Sequence, residues 1–294
     1  MIAQHCIDTI NSCTDIVELI SEHVKLKPNG ANMVGLCPFH NEKTPSFTVS
    51  KSKKIFKCFG CGKSGDAISF LCDYSGKSYL EVIKFLSSKY SIQLEYEGVT
   101  KVYEKPRLIK KKLEQSTLSY FTEVRKISSQ TLERMGVTES VEWMPGAKTE
   151  IPVICFNYFR GEELINIKYR GKGRDFRLSK NAELIFYNLN AIKDCHDCII
   201  TEGEVDCLTA VECGYDNTVS VPNGAGRGNQ KLIYLDNCWE YFENKKRIII
   251  ATDNDGPGLS LREELARRIG KEKCYKVKFP EGIKDLNELY VKYG

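Results

Sequence analysis

The sequence contains no long apolar run, so no membrane-spanning segment is expected. Its first residues lack the charged-then-apolar pattern of a secretory leader. A reducing, cytoplasmic setting is therefore the expectation. The formal net charge is only +4. A surface for a polyanion must then come from local clusters of cations, not from the overall balance. A Walker phosphate loop is also missing. Gly62-Lys63-Ser64 ends like one, but Lys57 stands where its first glycine belongs. The glycines of 221–228 are wrongly spaced for a dinucleotide fingerprint. That stretch, with Asn223, is left as a candidate backbone nest for a phosphate. Cys195-His196-Asp197-Cys198 has no second ligand pair at suitable spacing, and no metal site is expected there.

Cysteine, in contrast, is plentiful, with 13 residues. Three of them join a histidine as Cys37-x2-His40, seventeen residues, then Cys58-x2-Cys61. Two close pairs at this separation suit one structural zinc held tetrahedrally between two tight turns. Pro38, Gly60 and Gly62 supply the turns. Strands are expected at 33–36, 46–49 and 54–57. Most of the other ten cysteines lie in apolar segments, where a thiol behaves as a small hydrophobe.

Asp15 with Glu18, and Ser78 with Glu81, have capping-box spacing and open helices; a further helix should start near Asp66. The N-terminal unit runs over 1–96. Residues 97–112 form a basic linker around Pro106, with Lys101, Lys105, Arg107, Lys110, Lys111 and Lys112. A region of short helices covers 113–145. Strands are expected at 151–158, 164–169, 198–201, 218–221, 247–252 and 275–279, and helices at 205–213 and 257–269. Alternation in the last hundred residues implies a small parallel sheet with helices on both faces. The domains expected are 1–96, a zinc ribbon; 97–112, the linker; 113–195, a first subdomain; and 196–294, the α/β subdomain.

Two apolar strands end in acids. One leads into Glu202-Gly203-Glu204-Val205-Asp206, the other into Asp253-Asn254-Asp255-Gly256. Ligand sites of open α/β sheets lie beyond the carboxyl ends of strands, so Glu202, Asp253 and Asp255 should meet in one crevice. Asp206, one helical turn after Glu202, and Asp285 are expected to join them. Acids this close need a countercharge, which magnesium or manganese supplies through hard oxygen ligands. The plainer alternative is a set of solvated helix caps. In 168–177 five cations alternate with glycines and aromatics. On an extended chain Lys168, Arg170, Lys172 and Arg174 share a side, as a track for nucleotide or template phosphates requires. The plainer alternative is a solvated hairpin. Lys51, Lys53, Lys54 and Lys57 around Ile55 and Phe56 suggest a face for single strands, or a solvated strand.

The run Cys37-Pro38-Phe39-His40-Asn41-Glu42-Lys43-Thr44-Pro45-Ser46-Phe47, followed by Cys58-Phe59-Gly60-Cys61-Gly62, closely resembles the zinc-binding domain of bacterial DnaG-type primases. Glu202-Gly203-Glu204-Val205-Asp206 with Asp253-x-Asp255 resembles the Toprim signature of primases, topoisomerases and some nucleases. Residues 150–294, including Lys284-Asp285-x-Asn287-Glu288, are similar to the primase half of bacteriophage primase–helicases.

The resemblance implies an α+β and α/β multidomain chain, a zinc ribbon followed by a Toprim-type primase core. It implies short RNA primers made on single-stranded DNA from nucleoside triphosphates. One zinc would be structural and two or more magnesium or manganese ions catalytic. Asp253 and Asp255 would be the main ligands of those ions. Glu202 would be a ligand or proton acceptor, with Asp206 and Asp285 in support. A replicative helicase, separate or fused, would be the partner. A bacterial cell or a phage-infected bacterium would be the setting. The helicase-binding domain and helicase motor found in the two groups do not fit in this length. A Toprim nuclease, or an idle template-binding module that recruits a helicase, are the alternatives.

Overall fold

The computed structural model describes residues 2–96, 102–109, 111–173, 175–225 and 232–294. Lys101, Lys110 and Arg174, named above, lie outside the described residues. The chain divides into two compact units, residues 1–100 with 266–272, and residues 101–265 with 273–294.

The first unit opens with helices α1 (Gln4–Cys13) and α2 (Ile16–Ser21). Asp15 caps α2 by accepting from the Val17 and Glu18 amides. Helix α1 was not anticipated. Its N-terminus has Ala3 at the cap and no acidic residue in the first turn, so it lacks the signals that announced the others.

Strands β1 (Lys27–Asn29), β2 (Asn32–Gly35), β3 (Phe47–Ser50), β4 (Ile55–Cys58) and β5 (Ser64–Gly65) form an antiparallel sheet in chain order. Helices α3 (Ala67–Ser75) and α4 (Tyr79–Lys89) follow. Asp66 caps α3, and Ser78 and Glu81 form the full capping box of α4. Period-two burial explains the sheet. Phe47 and Val49 of β3, and Phe56 and Cys58 of β4, are buried, while Ile55 and Lys57 face out. Phe47, Phe56 and Phe70 stack with ring centroids 5.3–6.2 Å apart beside Ile10, Leu19, Ile83 and Leu86. The turns that carry the metal ligands are anchored on this core.

The second unit begins with α5 (Gln115–Ser119), a π-helical turn over Tyr120–Val124, and α6 (Ser129–Arg134). Residues 138–144, expected within a helical region, are instead strand β6 (Thr138–Met144). Its polarity is inverted, which hid it. Glu139 is buried and accepts from the Glu114 amide and Thr117 hydroxyl, whereas Val141 and Trp143 are exposed. β6, β7 (Thr149–Arg160), β8 (Glu163–Arg170) and β9 (Phe176–Leu178) make an antiparallel meander.

The remaining elements are β10 (Asp197–Thr201), α7 (Glu204–Glu212), β11 (Thr218–Ser220), α8 (Ile233–Asn237), β12 (Arg247–Ala251), α9 (Gly256–Ile269), β13 (Cys274–Lys276) and α10 (Leu286–Tyr293). The strands form a parallel sheet in the order β11-β10-β12-β13. β13 stops at Lys276, short of the expected 279. Thr201 pairs with Ala251, so β10 and β12 release their acids at the same edge. Among the described residues no helix is long and apolar enough to cross a membrane.

Candidate zinc centre and acidic cleft

Cys37, His40, Cys58 and Cys61 offer donor atoms that all lie within 4.8 Å of one another. The Cys37 and Cys61 sulfurs are 3.9 Å apart. A tetrahedron with bonds of ~2.3 Å has an edge of about 3.8 Å, close to this separation, so the four donors suit a tetrahedral zinc. Nδ1 of His40 faces the Cys58 sulfur at 3.8 Å. Nε2 faces Glu42 Oε2 at 3.2 Å. The ring therefore turns Nδ1 toward the metal position and Nε2 toward the Glu42 carboxylate, a neighbour that can orient a ligating imidazole.

Glu42 also accepts from the amides of Cys37 (2.7 Å) and Ser46 (3.1 Å) and from the Ser46 hydroxyl (2.5 Å). That hydroxyl chiefly holds the Glu42 carboxyl below its ordinary pKa. No role was assigned to Glu42 from the sequence, although it lies inside the recognised run. Gly60 makes room for the imidazole. A Cβ there would sit 2.6 Å from His40 Nε2.

The predicted single-strand face is not formed as expected. Phe56 is buried, Lys51 pairs with Asp15, and Lys54 donates to the Asn11 and Ser12 carbonyls of α1. Exposed Phe59, with Lys57 over its ring, is the aromatic on this surface instead.

In the second unit a cleft of about 690 Å³ opens at the carboxyl edge of the parallel sheet. Glu202, Asp206, Asp253, Asp255 and Asp285 line it, as do Asn223, Lys168 and Arg170. Glu202 leaves β10 and is held by backbone alone, from Ala225 N (3.1 Å) and Asp253 N (3.2 Å). A Cβ on Gly258 would lie 2.2 Å from the Asp253 carbonyl oxygen and 2.9 Å from Glu202 Oε2. That glycine lets α9 start against the acids. Asp255 accepts from the Gly258 amide (3.0 Å), and Asp285 caps α10 through the Glu288 amide (2.7 Å). Asp206, on α7, accepts from Asn287 N (3.1 Å).

The electrostatics are those of crowded carboxylates. Burial, then the charge of Asp285, pushes Asp206 well above the usual carboxylate range. Burial, then Asp253, raises Glu202, against the pull of its two amide donors. Burial also raises Asp253, while Lys284 opposes the shift. Lys284 Nζ lies 2.8 Å from Asp253 Oδ2 and 3.4 Å from Asp255 Oδ2. Among the described residues the zinc set is the one ready-made ligand cluster. Two of the acids, Asp253 and Asp255, share an ammonium. Their hard oxygens and surplus negative charge nevertheless match a divalent ion by donor type.

The basic hairpin departs from the expected track. Lys168 is buried. Its Nζ holds Glu204 at 2.8 and 3.0 Å, and the Tyr158 hydroxyl donates to the same carboxylate. It is not a free phosphate ligand. The strand ends at Arg170, so the alternation breaks there; Lys172 sits exposed in the following turn and does not line the cleft.

Sequence reasoning passed over Arg125 and Tyr120, and it noted Arg177 and Lys284 only within longer runs, with no role of their own. Arg125, just after the π-turn, reaches the cleft and donates to Asn287 Oδ1 (3.0 Å). The Tyr120 oxygen accepts from both Arg125 (2.7 Å) and Arg170 (3.1 Å). A lone arginine in a helical stretch carries no local signal of this.

Residues 2–102 match the family described as CHC2 zinc finger, and residues 199–290 the one described as Toprim-like. A primase homolog protein of Arabidopsis thaliana is 41% identical over 190 residues, 59% of this chain and 55% of that protein. A DNA primase of Clostridium acetobutylicum is 30% identical over an alignment covering 100% of this chain and 58% of that protein. The chain thus spans little more than half the length of these relatives. The crystal structure of the primase fragment of the bacteriophage T7 primase-helicase protein superposes with a TM-score of 0.51 at 19% identity, covering 87% of this chain and 93% of that fragment. The fold is shared with it. Carrying a CHC2 zinc ribbon and a Toprim-like domain in one chain, with the acids of the second gathered in one cleft, the protein belongs among the homologues of the DNA primases.

Proposed function

We propose that the chain is a DNA primase, synthesising short RNA on a single-stranded DNA template from nucleoside triphosphates. The observation that carries this reading is the cleft, where acids from β10, β12 and α10 face Arg125 and Arg170. The reaction is attack of a 3′-hydroxyl on an α-phosphate with departure of pyrophosphate. Asp253 and Asp255 are the residues that would hold divalent magnesium or manganese. Bound there, such ions supply Lewis-acid stabilisation of the charge that develops on the phosphate oxygens. Glu202 is fixed by two amides and raised by burial. It is thus placed to steer or accept the hydroxyl proton. Arg125 and Arg170 bring positive charge to the triphosphate. Arg170 and exposed Lys172 suit the template, and Asn223, which lines the cleft, suits the nucleotide. The zinc is structural, and its domain selects where on the template synthesis starts.

A replicative helicase is the inferred protein partner, in keeping with the primase-helicase origin of the T7 fragment. The inferred setting is the reducing cytoplasm of a bacterium or phage-infected bacterium, which would keep the cysteines as thiols.

The test is incubation of zinc-loaded protein with random single-stranded DNA, magnesium and labelled ribonucleotides. Template-dependent RNA is expected. Asp253→Asn should fold, bind DNA and lose at least about 100-fold in rate. Near-normal synthesis by that variant would refute the assignment. Cleavage of DNA without extension would make the protein a nuclease. Template binding with neither activity would make it a recruiting module.

A further inference from the structure

The acids of the cleft differ in what holds them. Glu202 is tied by the amides of Ala225 and Asp253, Asp206 by that of Asn287, and Asp285 by that of Glu288. These partners are backbone and stay in place. The Asp253 carboxylate is held by a side chain, the Lys284 ammonium at 2.8 Å, which also reaches Asp255 at 3.4 Å.

Lys284 is built to stay near these acids while its head group moves. Its carbonyl accepts from the Asn254 amide (2.8 Å), which pins its backbone to the 253–255 loop. Its own amide donates to Glu288 Oε2 (2.6 Å). The side chain is 46% exposed, so four rotatable bonds can carry the ammonium away without disturbing the core. A divalent ion that bridged Asp253 and Asp255 would compete with the ammonium, which lies against Oδ2 of both. An ion and an ammonium at the same oxygens would repel each other.

We propose that Lys284 is an exchangeable countercation: it offsets part of the charge of Asp253 and Asp255 in the metal-free protein and gives way when a divalent ion binds. The idea rests on reading the cleft as metal-dependent. Its function would be twofold. It keeps the acids assembled between metal-binding events, and it returns a mobile positive charge to the cleft while the ion is bound.

Manganese affinity of zinc-loaded protein, measured by electron paramagnetic resonance without nucleotide, provides the test. Lys284→Met keeps length and removes charge. Freed of a half-exposed competing ion pair, it should bind manganese about five- to tenfold more tightly than wild type. Lys284→Arg should remain close to wild type. In parallel, amine-reactive footprinting of the wild-type protein should show Lys284 modified severalfold faster once manganese is added. This arm requires no variant to fold.

Equal or weaker affinity in a folded Lys284→Met protein, or a Lys284 amine unchanged or protected by manganese, overturns the exchange. Those results leave the metal-dependent reading standing if wild type binds manganese. A wild-type protein that binds none in the cleft overturns both.

Discussion

Replacing Lys168 by methionine removes one charge from a pair that is almost entirely out of water. The Lys168 and Glu204 side chains are 10% and 4% exposed, with Nζ 2.8 Å from the nearer oxygen. At an effective dielectric of ~20 that separation corresponds to about 6 kcal/mol of attraction. Desolvation of both groups consumes much of it. The single variant is a different case, because Glu204 stays buried without its cation, with the Tyr158 hydroxyl as its remaining donor. Breaking one side of such a pair costs about 3–5 kcal/mol, against roughly 5–15 kcal/mol for a whole domain. Urea unfolding followed by tryptophan fluorescence reports on this unit, since Trp143 and Trp239 both lie in it. The expected result is a loss of about 3 kcal/mol or more, most of it regained in Lys168→Met/Glu204→Gln. Stability within about 1 kcal/mol of wild type would refute the argument. If the salt dependence of DNA binding fell as well, Lys168 would return to the phosphate track.

Cys58→Ser should lose about one zinc per chain by elemental analysis and unfold the first unit, because structural zinc contributes on the order of 10 kcal/mol; a variant that keeps its zinc would contradict this. Asp206→Asn keeps the acceptor for Asn287 N and removes a carboxylate whose folded pKa is raised. Such a group favours the fold below its unfolded pKa and opposes it as pH rises. Without added divalent metal the variant should therefore melt above wild type at pH 7, and the difference should vanish below about pH 4. Arg170→Ala should lower the slope of log affinity against log salt for single-stranded DNA by roughly 0.7, or raise the triphosphate KM. If neither moves, the phosphates run elsewhere.

What could be read from the sequence was whatever is encoded over short distances. The zinc ligands declare themselves by spacing, and the acids by the apolar strands that precede them. The helices α3 and α4 declare themselves through Asp66, Ser78 and Glu81. What could not be read depends on which side of an element is covered. Alternation placed Lys168 and Arg170 on one side of β8, but the Glu204 that buries Lys168 comes from α7, 36 residues on. Arg125 joins the cleft beside Asn287, 162 residues away, and Tyr120 backs it through Arg170, 50 residues away. β6 escaped notice because Val141 and Trp143 face out while one of its two buried positions is a glutamate, Glu139, satisfied from the start of α5.

The close approach of Gly60 to His40 has a consequence for anyone transplanting this metal site. The two residues between Cys58 and Cys61 look interchangeable in a Cys-x2-Cys pattern, but the second must be glycine because the opposite pair contributes an imidazole. The two halves of the site are therefore not separable parts. A designer who exchanged His40 for a fourth cysteine would remove the nearest obstacle and the imidazole beside Glu42, but Ser46 Oγ, 2.9 Å from that Cβ, would still crowd the position. One who kept His40 but grafted a foreign Cys-x2-Cys turn carrying any side chain at the position of Gly60 would push the ring out of line before zinc arrived.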